Sequence, residues 1–192
     1  MRVVVLGAGV IGVATAYYLA RDGAQVTVVD RRAEAAGETS YANAGLIAPT
    51  HAYAWASPRA PGILLRSLWR DDTALRLKPR LDPAMVRWGL GFLANCTAAR
   101  NRANTLTKLR LCLYSRKCLV RLRAAEGLDY DQVTRGALYL YRDAAHLAVG
   151  RANARLLHEH GAAIEAIDAE RMAALDPALG RVRERMAGAL YA

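Results

Sequence analysis

The chain has 192 residues and a formal net charge of +10, with 54% hydrophobic and 23% charged residues. This composition is that of an ordinary globular protein and excludes intrinsically disordered, collagen-like and mucin-like chains. The positive charge comes almost wholly from arginine and is spread along the chain without a nucleic-acid-binding motif, so the sequence does not favour a nucleic-acid partner.

The first thirty residues combine two strand patterns with one helical pattern. Residues 3–6 form a β-branched apolar run, which is typical of a strand buried on both faces of a parallel sheet. A helical pattern covers about residues 10–21, and residues 25–29 form a second β-branched run that ends in Asp30. The order strand, glycine turn, helix, strand and acid predicts a Rossmann-like βαβ unit.

The turn between the first strand and the helix has the spacing GxGxxG. Gly7 permits the tight turn, Gly9 lets the backbone approach a pyrophosphate, and Gly12 permits close packing of the helix against the strand. The free N–H groups of the helix N-terminus favour phosphate groups. Asp30 can accept hydrogen bonds from ribose hydroxyls and would repel a 2′-phosphate, although the arginine pair after it could contact one. The pattern predicts a dinucleotide site, and an unphosphorylated ribose is favoured.

The residues that follow favour flavin over nicotinamide. A nicotinamide-binding domain would usually continue with another helix and strand, whereas residues 33–47 are small and loop-like. With the glycine turn and Val29-Asp30-Arg31, the stretch 38–45 resembles the N-terminal half of the FAD-dependent amino acid oxidoreductases of the DAO type. The closest likeness is to the small-subunit type of bacterial D-amino acid dehydrogenase. It extends along the chain through residues 55–58, 113–119, 136–142 and 171–179.

The resemblance implies FAD as the cofactor and assigns residues to it. The glycine turn would hold the FAD pyrophosphate and Asp30 the adenosine ribose. The residues that would approach the flavin end are Thr39, Ser40, Asn43, Ala44, Gly45 and Leu46. The predicted cofactor-binding residues are Val5, Leu6, Gly7, Ala8, Gly9, Val10, Ile11, Gly12, Asp30, Arg31, Thr39, Ser40, Asn43, Ala44, Gly45 and Leu46. No catalytic residue is assigned, and no metal site is expected.

The resemblance also implies the reaction and the partners. A D-amino acid would be oxidised to an imino acid, which water converts to a 2-oxo acid and ammonia, with electrons passing to a quinone or another acceptor. The expected location is the cytoplasm, with peripheral contact at the inner face of the cytoplasmic membrane. Two alternatives stay open: a flavin amine oxidase of the glycine or sarcosine type, and a nucleotide-binding subunit without catalysis of its own.

The expected fold class is α/β. A FAD-binding Rossmann-like segment (1–50) is followed by a loop and helical segment (51–128) and by the beginning of an antiparallel α+β substrate domain (129–192). Residues 188–192 have the pattern of the beginning of a strand. We therefore expect an incomplete N-terminal half that lacks a C-terminal half or partner subunit and is inactive in isolation.

The middle of the chain predicts a loop and then helices. Prolines and glycine predict a loop over residues 48–65, in which His51 and Tyr53 could border a substrate pocket or be plain loop residues. Helices are predicted over residues 83–97, 102–125 and 144–161. The second of these has two apolar faces, which favours packing between layers over a membrane-surface helix.

Overall fold

The computed structural model describes residues 1–70, 72 and 82–192. Contacts divide the chain into a first unit, Met1–Leu46, and a second unit, Ile47–Ala192. The strands are β1 (Arg2–Leu6), β2 (Gln25–Val29), β3 (Leu138–Tyr141), β4 (Glu165–Ile167) and β5 (Gly188–Tyr191). The helices are α1 (Val10–Arg21), α2 (Ala60–Arg66), α3 (Pro83–Ala94), α4 (Ala98–Glu126), α5 (Ala144–His158) and α6 (Ala169–Leu175), with 3-10 helices at Pro49–His51 and Pro177–Arg185.

The first unit is a βαβ unit, as the sequence predicts. Strands β1 and β2 pair in parallel, with Val3 opposite Val26, and α1 connects them. The expectation that β1 is buried on both faces is wrong for this chain. Val3 and Val5 are half-buried, whereas Val4 and Leu6 are exposed. Side chains alternate across a strand, so α1 covers one face of the pair and leaves the other face open.

The second unit contains a three-stranded antiparallel sheet in the order β3-β5-β4. The last strand in the chain is therefore the central one: Leu190 lies opposite Tyr139 on one side and Ala166 on the other. This arrangement confirms the predicted change from a parallel start to an antiparallel α+β segment. The predicted division into three segments stays a prediction.

Both faces of this sheet are covered by apolar side chains. Leu190 belongs to one cluster, which includes Leu109 of α4 and Leu157 of α5. Its neighbour Ala189 belongs to the other cluster, with Met172 of α6. Leu109, Leu157 and Met172 have no accessible surface. Because neighbouring residues of β5 point to opposite faces, one short strand contributes to two cores.

The helical segment differs from the predictions in its first part. The predicted loop over residues 48–65 is wrong in part, because it contains a 3-10 helix and most of α2. Asp82 and Thr97 cap α3 and α4 by accepting hydrogen bonds from Ala84 N–H and Arg100 N–H. Helix α4 ends at Gly127, which adopts φ +60°. Within the part of the chain that the structure describes, no helix is long and apolar enough to cross a membrane.

Two helical glycines give a matched test of packing. A Cβ atom at Gly150 of α5 would lie 2.6 Å from Cζ of Tyr141, whereas a Cβ at Gly89 of α3 would have no heavy atom within 4 Å. We expect Gly150→Ala to lower the free energy of unfolding by about 1–3 kcal/mol, because the core must shift. Gly89→Ala should raise it by up to about 1 kcal/mol through helix propensity. Urea unfolding measures both, and equal stability of the Gly150→Ala variant and the parent chain would contradict the packing argument.

Candidate functional site

The glycine turn after β1 is held through the peptide groups of Ala8. The Ala8 N–H donates to Oδ2 of Asp30 at 2.6 Å, and the Ala8 carbonyl accepts a hydrogen bond from Ala36 N–H at 2.9 Å. Asp30 ends the second strand, and Ala36 belongs to the loop that follows it. Two residues that lie more than twenty positions after Ala8 in the sequence therefore fix the backbone of the turn. Ala8 itself is buried.

Gly7 and Gly12 are required for different reasons. Gly7 has φ +101°, a conformation that side chains rarely adopt, although a Cβ atom there would meet nothing within 4 Å. Gly12 has an ordinary helical backbone, but a Cβ atom there would overlap the carbonyl oxygen of Gly7 and lie 2.9 Å from its carbonyl carbon. The first glycine permits the turn, and the second permits α1 to start against the end of β1.

The N-terminus of α1 carries amide groups that precede the first intrahelical bond. That bond runs from Val13 N–H to the Gly9 carbonyl at 2.9 Å, so the amides of Val10, Ile11 and Gly12 come before it. Oγ of Ser40 accepts a hydrogen bond from Val10 N–H at 3.0 Å. The family resemblance implies a place for Ser40 at the flavin end, whereas the structure brings its hydroxyl to the glycine turn.

Residues 31–38 form a loop closed by ion pairs. Oε1 of Glu38 lies 2.8 Å from Nη2 of Arg31 and 2.6 Å from Nε of Arg32. All three side chains are largely exposed, so each pair contributes at most about 1 kcal/mol. The pairs nevertheless direct both guanidinium groups toward Glu38. In this structure the two arginines therefore contact a carboxylate of their own loop.

Two residues of this loop were missed as site residues. The sequence contains a signal for Glu38. After Arg31 and Arg32, the only acids in the stretch 31–45 are Glu34 and Glu38, and acids so close to two arginines indicate an ion pair. The sequence contains no signal for Ala36. Among the described residues it is the one non-glycine residue with a positive φ, at +61°, and an alanine in a sequence does not indicate that conformation.

The segment after Ser40 is organised by Asn43. Its Nδ2 donates to the Ser40 carbonyl at 3.1 Å, and its Oδ1 accepts from Gly45 N–H at 2.7 Å. Gly45 has φ +60°. The structure places the other predicted residues of the first unit as follows: Val5 packs toward α1 beside Gly12, and Leu6, Ile11, Thr39, Ala44 and Leu46 are exposed.

Asp30 gives the turn its fixed negative charge. The bond from Ala8 N–H lowers the pKa of this carboxyl below the usual value most strongly, and the bond from Arg32 N–H at 2.7 Å adds to it. Each carboxylate oxygen accepts one backbone N–H and keeps capacity for another donor, such as a ribose hydroxyl. Backbone without side chains at Gly7 and Gly9, the amides of Ile11 and Gly12 at the start of α1, and an ionised acid fit a dinucleotide.

The loop at residues 49–56 is anchored within the second unit. Lys108 Nζ donates to the carbonyls of His51 and Tyr53, and Nδ2 of Asn101 donates to the Ala56 carbonyl at 2.7 Å. Burial, followed by the neighbouring tyrosines of β3, raises the pKa of Tyr53 to about 12. Tyr53 packs against the core cluster of Leu109 and Leu157, so it has a structural role in this unit.

Comparison with known proteins places these features in context. A family model described as FAD dependent oxidoreductase (DAO) matches residues 2–192. The chain is 47% identical over 191 residues to D-amino acid dehydrogenase 2 of Mesorhizobium japonicum, and 47% identical over 192 residues to a D-amino acid dehydrogenase of Paramagnetospirillum magneticum. It is 46% identical over 190 residues to a D-amino acid dehydrogenase of Cereibacter sphaeroides.

These matches cover nearly all of this chain but only part of each relative. They span 99–100% of the chain and 44–46% of the relatives' own lengths. The chain thus spans about half the length of the curated relatives it matches, and it corresponds to their N-terminal part.

The bond between Asp30 and Ala8 predicts a pH-dependent signal. Because the pKa of Asp30 is lowered by folding, its stabilising contribution is complete above the ordinary value of 3.8 and is lost as the pH falls through the folded value. We expect the Ala8 amide proton resonance to titrate with a midpoint below 3.8. In an Asp30→Asn variant this titration should disappear. A midpoint at or above the ordinary value in the parent chain would show that the bond is absent in solution.

Proposed function

Because the chain belongs to the DAO family of FAD-dependent oxidoreductases, we propose that its first unit binds FAD through the glycine turn and Asp30. The observation that carries this proposal is the geometry around Ala8, Gly12 and Asp30. It presents the backbone of the glycine turn and one carboxylate, with the Ser40 hydroxyl at the first amide of α1. Gly7 to Gly12 would contact the pyrophosphate, and Asp30 would accept hydrogen bonds from the adenosine ribose.

We propose further that the whole protein oxidises D-amino acids. The reaction removes the α-hydrogen with its electron pair and gives an imino acid, which water converts to a 2-oxo acid and ammonia. FAD supplies the two-electron acceptor when it is bound. The support is the 46–47% identity to relatives named D-amino acid dehydrogenase. The part played by this chain is cofactor binding and orientation, since we assign none of its residues to catalysis.

The loop after the glycine turn would complete the cofactor site. Ser40 is already at the start of α1, and Asn43 holds the backbone between Ser40 and Gly45. We propose that Thr39, Ala44 and Leu46, which are exposed in the first unit, contribute to the flavin side of this site. Ala44 and its neighbour Gly45 carry little or no side chain, which permits a close approach of a planar ring system.

The proposed electron acceptor is a quinone or another carrier, and the proposed location is the inner face of the cytoplasmic membrane. Support for peripheral membrane contact comes from the net charge of +10, since anionic lipids attract basic proteins. This contact is independent of the FAD proposal, because it concerns surface charge and not the glycine turn.

The first test is the visible absorption spectrum of the chain after addition of FAD and gel filtration. We expect flavin absorbance to elute with the protein. Gly12→Ala should abolish it, because the new Cβ overlaps the Gly7 carbonyl, whereas Gly37→Ala has ordinary contacts of 3.4 Å or longer and should retain it. Loss of flavin from the parent chain and both variants, all folded by circular dichroism, would refute FAD binding by this chain.

The reaction is tested by flavin bleaching without oxygen in the complete protein that carries this chain. D-Alanine should bleach the flavin, and L-alanine should not. Bleaching by sarcosine or glycine in preference to D-alanine would assign the protein to the amine oxidase alternative. Retained flavin that no amine bleaches would favour the nucleotide-binding subunit without catalysis.

Asp30 gives a quantitative test of the adenosine side. Asp30→Ala should weaken FAD binding by about 1.5–3 kcal/mol, which is the contribution of hydrogen bonds to a charged group. Quenching of flavin fluorescence measures the dissociation constant. Asp22→Ala, at the end of α1 in the same unit, serves as the control and should leave it unchanged. A gain of NADPH binding in the Asp30→Ala variant would contradict the choice of cofactor.

A further inference from the structure

The arginine pair after β2 lies beside the carboxylate that we assign to the adenosine ribose. Arg31 and Arg32 follow Asp30 directly, and Arg32 N–H donates to Oδ1 of Asp30 at 2.7 Å. The charge of Arg31 also reaches this carboxyl, since it contributes to lowering its pKa. In sites that bind NADP, an arginine near the end of this strand accommodates the 2′-phosphate. The chain therefore carries the residue type that a 2′-phosphate requires next to the acid that a free ribose hydroxyl requires.

Both guanidinium groups are directed to a third residue instead. A single oxygen, Oε1 of Glu38, lies 2.8 Å from Nη2 of Arg31 and 2.6 Å from Nε of Arg32. Glu34 is closer to both arginines in the sequence, yet neither of these two contacts is made to it. The contact with Glu38 therefore depends on the path of the loop and not on closeness in the sequence.

The backbone holds Glu38 in this position from both sides. Before it, Ala36 adopts φ +61° and donates its N–H to the Ala8 carbonyl at 2.9 Å. After it, Tyr41 N–H donates to the carbonyl of Glu38 itself at 3.0 Å. The carboxylate thus comes from a loop that is attached to the glycine turn, which is the part of the chain that we assign to the pyrophosphate.

The charges around the proposed ribose position balance. Asp30 and Glu38 are two acids, and Arg31 and Arg32 are two bases, so a doubly negative 2′-phosphate meets no excess of positive charge among them. The ion pairs themselves are weak, because the side chains are largely exposed. The balance does not depend on their strength, since Glu38 stays in the same loop when a pair opens. Without Glu38, two guanidinium groups would face one carboxylate.

We propose that Glu38 is a positioning residue that holds the arginine pair away from the ribose and thereby restricts the site to nucleotides with a free 2′-hydroxyl, such as FAD. This inference rests on the proposed adenosine site at Asp30 and assigns the selectivity of that site to a residue of the next loop. Asp30 accepts hydrogen bonds from the hydroxyl, and Glu38 withholds the guanidinium donors that a phosphate at the same position would need. Dinucleotides that carry a 2′-phosphate are excluded in this way.

The test compares two nucleotides that differ by one phosphate, adenosine 5′-monophosphate and adenosine 2′,5′-bisphosphate. Titration of the amide resonances of Ala8 and Arg32, whose N–H groups donate to Asp30, measures both dissociation constants. The parent chain should bind the monophosphate more tightly. In Glu38→Gln the ratio of the two constants should shift toward the bisphosphate by about fivefold or more, because an exposed arginine–phosphate contact contributes about as much as an exposed ion pair.

Matched variants separate the positioning of the arginines from a general effect of charge. Glu34→Gln removes the same charge from the same loop and should leave the ratio unchanged. The triple variant Glu38→Gln/Arg31→Ala/Arg32→Ala should lose the gain, because the donors are absent. The gain in Glu38→Gln should also shrink when NaCl is raised from about 0.1 M to about 1 M, because salt screens the attraction. A merely structural role of Glu38 would weaken the binding of both nucleotides alike.

A second variant keeps the test decisive if Glu38→Gln loses its folded amide spectrum. Glu38→Asp has a side chain that is one methylene shorter and cannot keep both arginine contacts without a shift of the loop. It should change the ratio in the same direction.

The other outcomes overturn the inference. An unchanged ratio in the folded Glu38 variants, or an equal shift in Glu34→Gln, would exclude Glu38 as the source of selectivity and leave FAD binding as proposed. A parent chain that prefers the bisphosphate would show that the arginines are available to it. A parent chain that binds neither nucleotide would refute the adenosine site at Asp30 and the selectivity with it, while retention of FAD would still be decided by absorbance.

Discussion

The close approach of α1 to the end of β1 determines the geometry of the first 46 residues. At this point Gly12 faces the backbone of Gly7 with no room for a single additional carbon atom. The helix can therefore start immediately after the strand, and its first amides come to the same place as the turn. A larger residue would move the helix away and separate the amides from the carboxylate of Asp30.

The backbone N–H and carbonyl of Ala8 link this close approach to the rest of the unit. The N–H donates to Asp30, and the carbonyl accepts a hydrogen bond from Ala36. Both the end of β2 and the following loop are therefore bound to the same turn. A backbone held on both sides does not need to reorganise when a ligand arrives, which is the physical meaning of a preorganised site. The ion pairs of Glu38 support the loop from outside and contribute modestly because water screens them.

The sequence predicts the first unit closely because its signals are local. The limits of α1 agree with the predicted helix, and the roles predicted for Gly7 and Gly12 as turn and packing residues agree with their conformations. What it could not predict are contacts between distant residues. Neither the bond between Asp30 and Ala8 nor the approach of Ser40 to Val10 follows from spacing, because each depends on the path of the loop.

The second unit shows the same limit at a larger scale. Its helices α3, α4 and α5 are predicted from periodicity. Helix α2 is missed because Pro61 suggests a loop, although this proline stands at the helix start, where proline is tolerated. The central position of β5 could not be read from sequence order. Strand pairing over about fifty residues of separation has no local signature, and it is decided by the packing of Leu190 and Ala189 on the two faces.

The central position of β5 also has a consequence for biosynthesis. As the chain leaves the ribosome, β3 and β4 emerge before the strand that must lie between them, and both keep open edges until residues 188–191 arrive. Non-local pairing of this kind is slow, and open edges can pair with other chains in the meantime. Nascent chains are therefore most vulnerable to misassembly before β5 emerges, and a chaperone that covers strand edges would act in that interval.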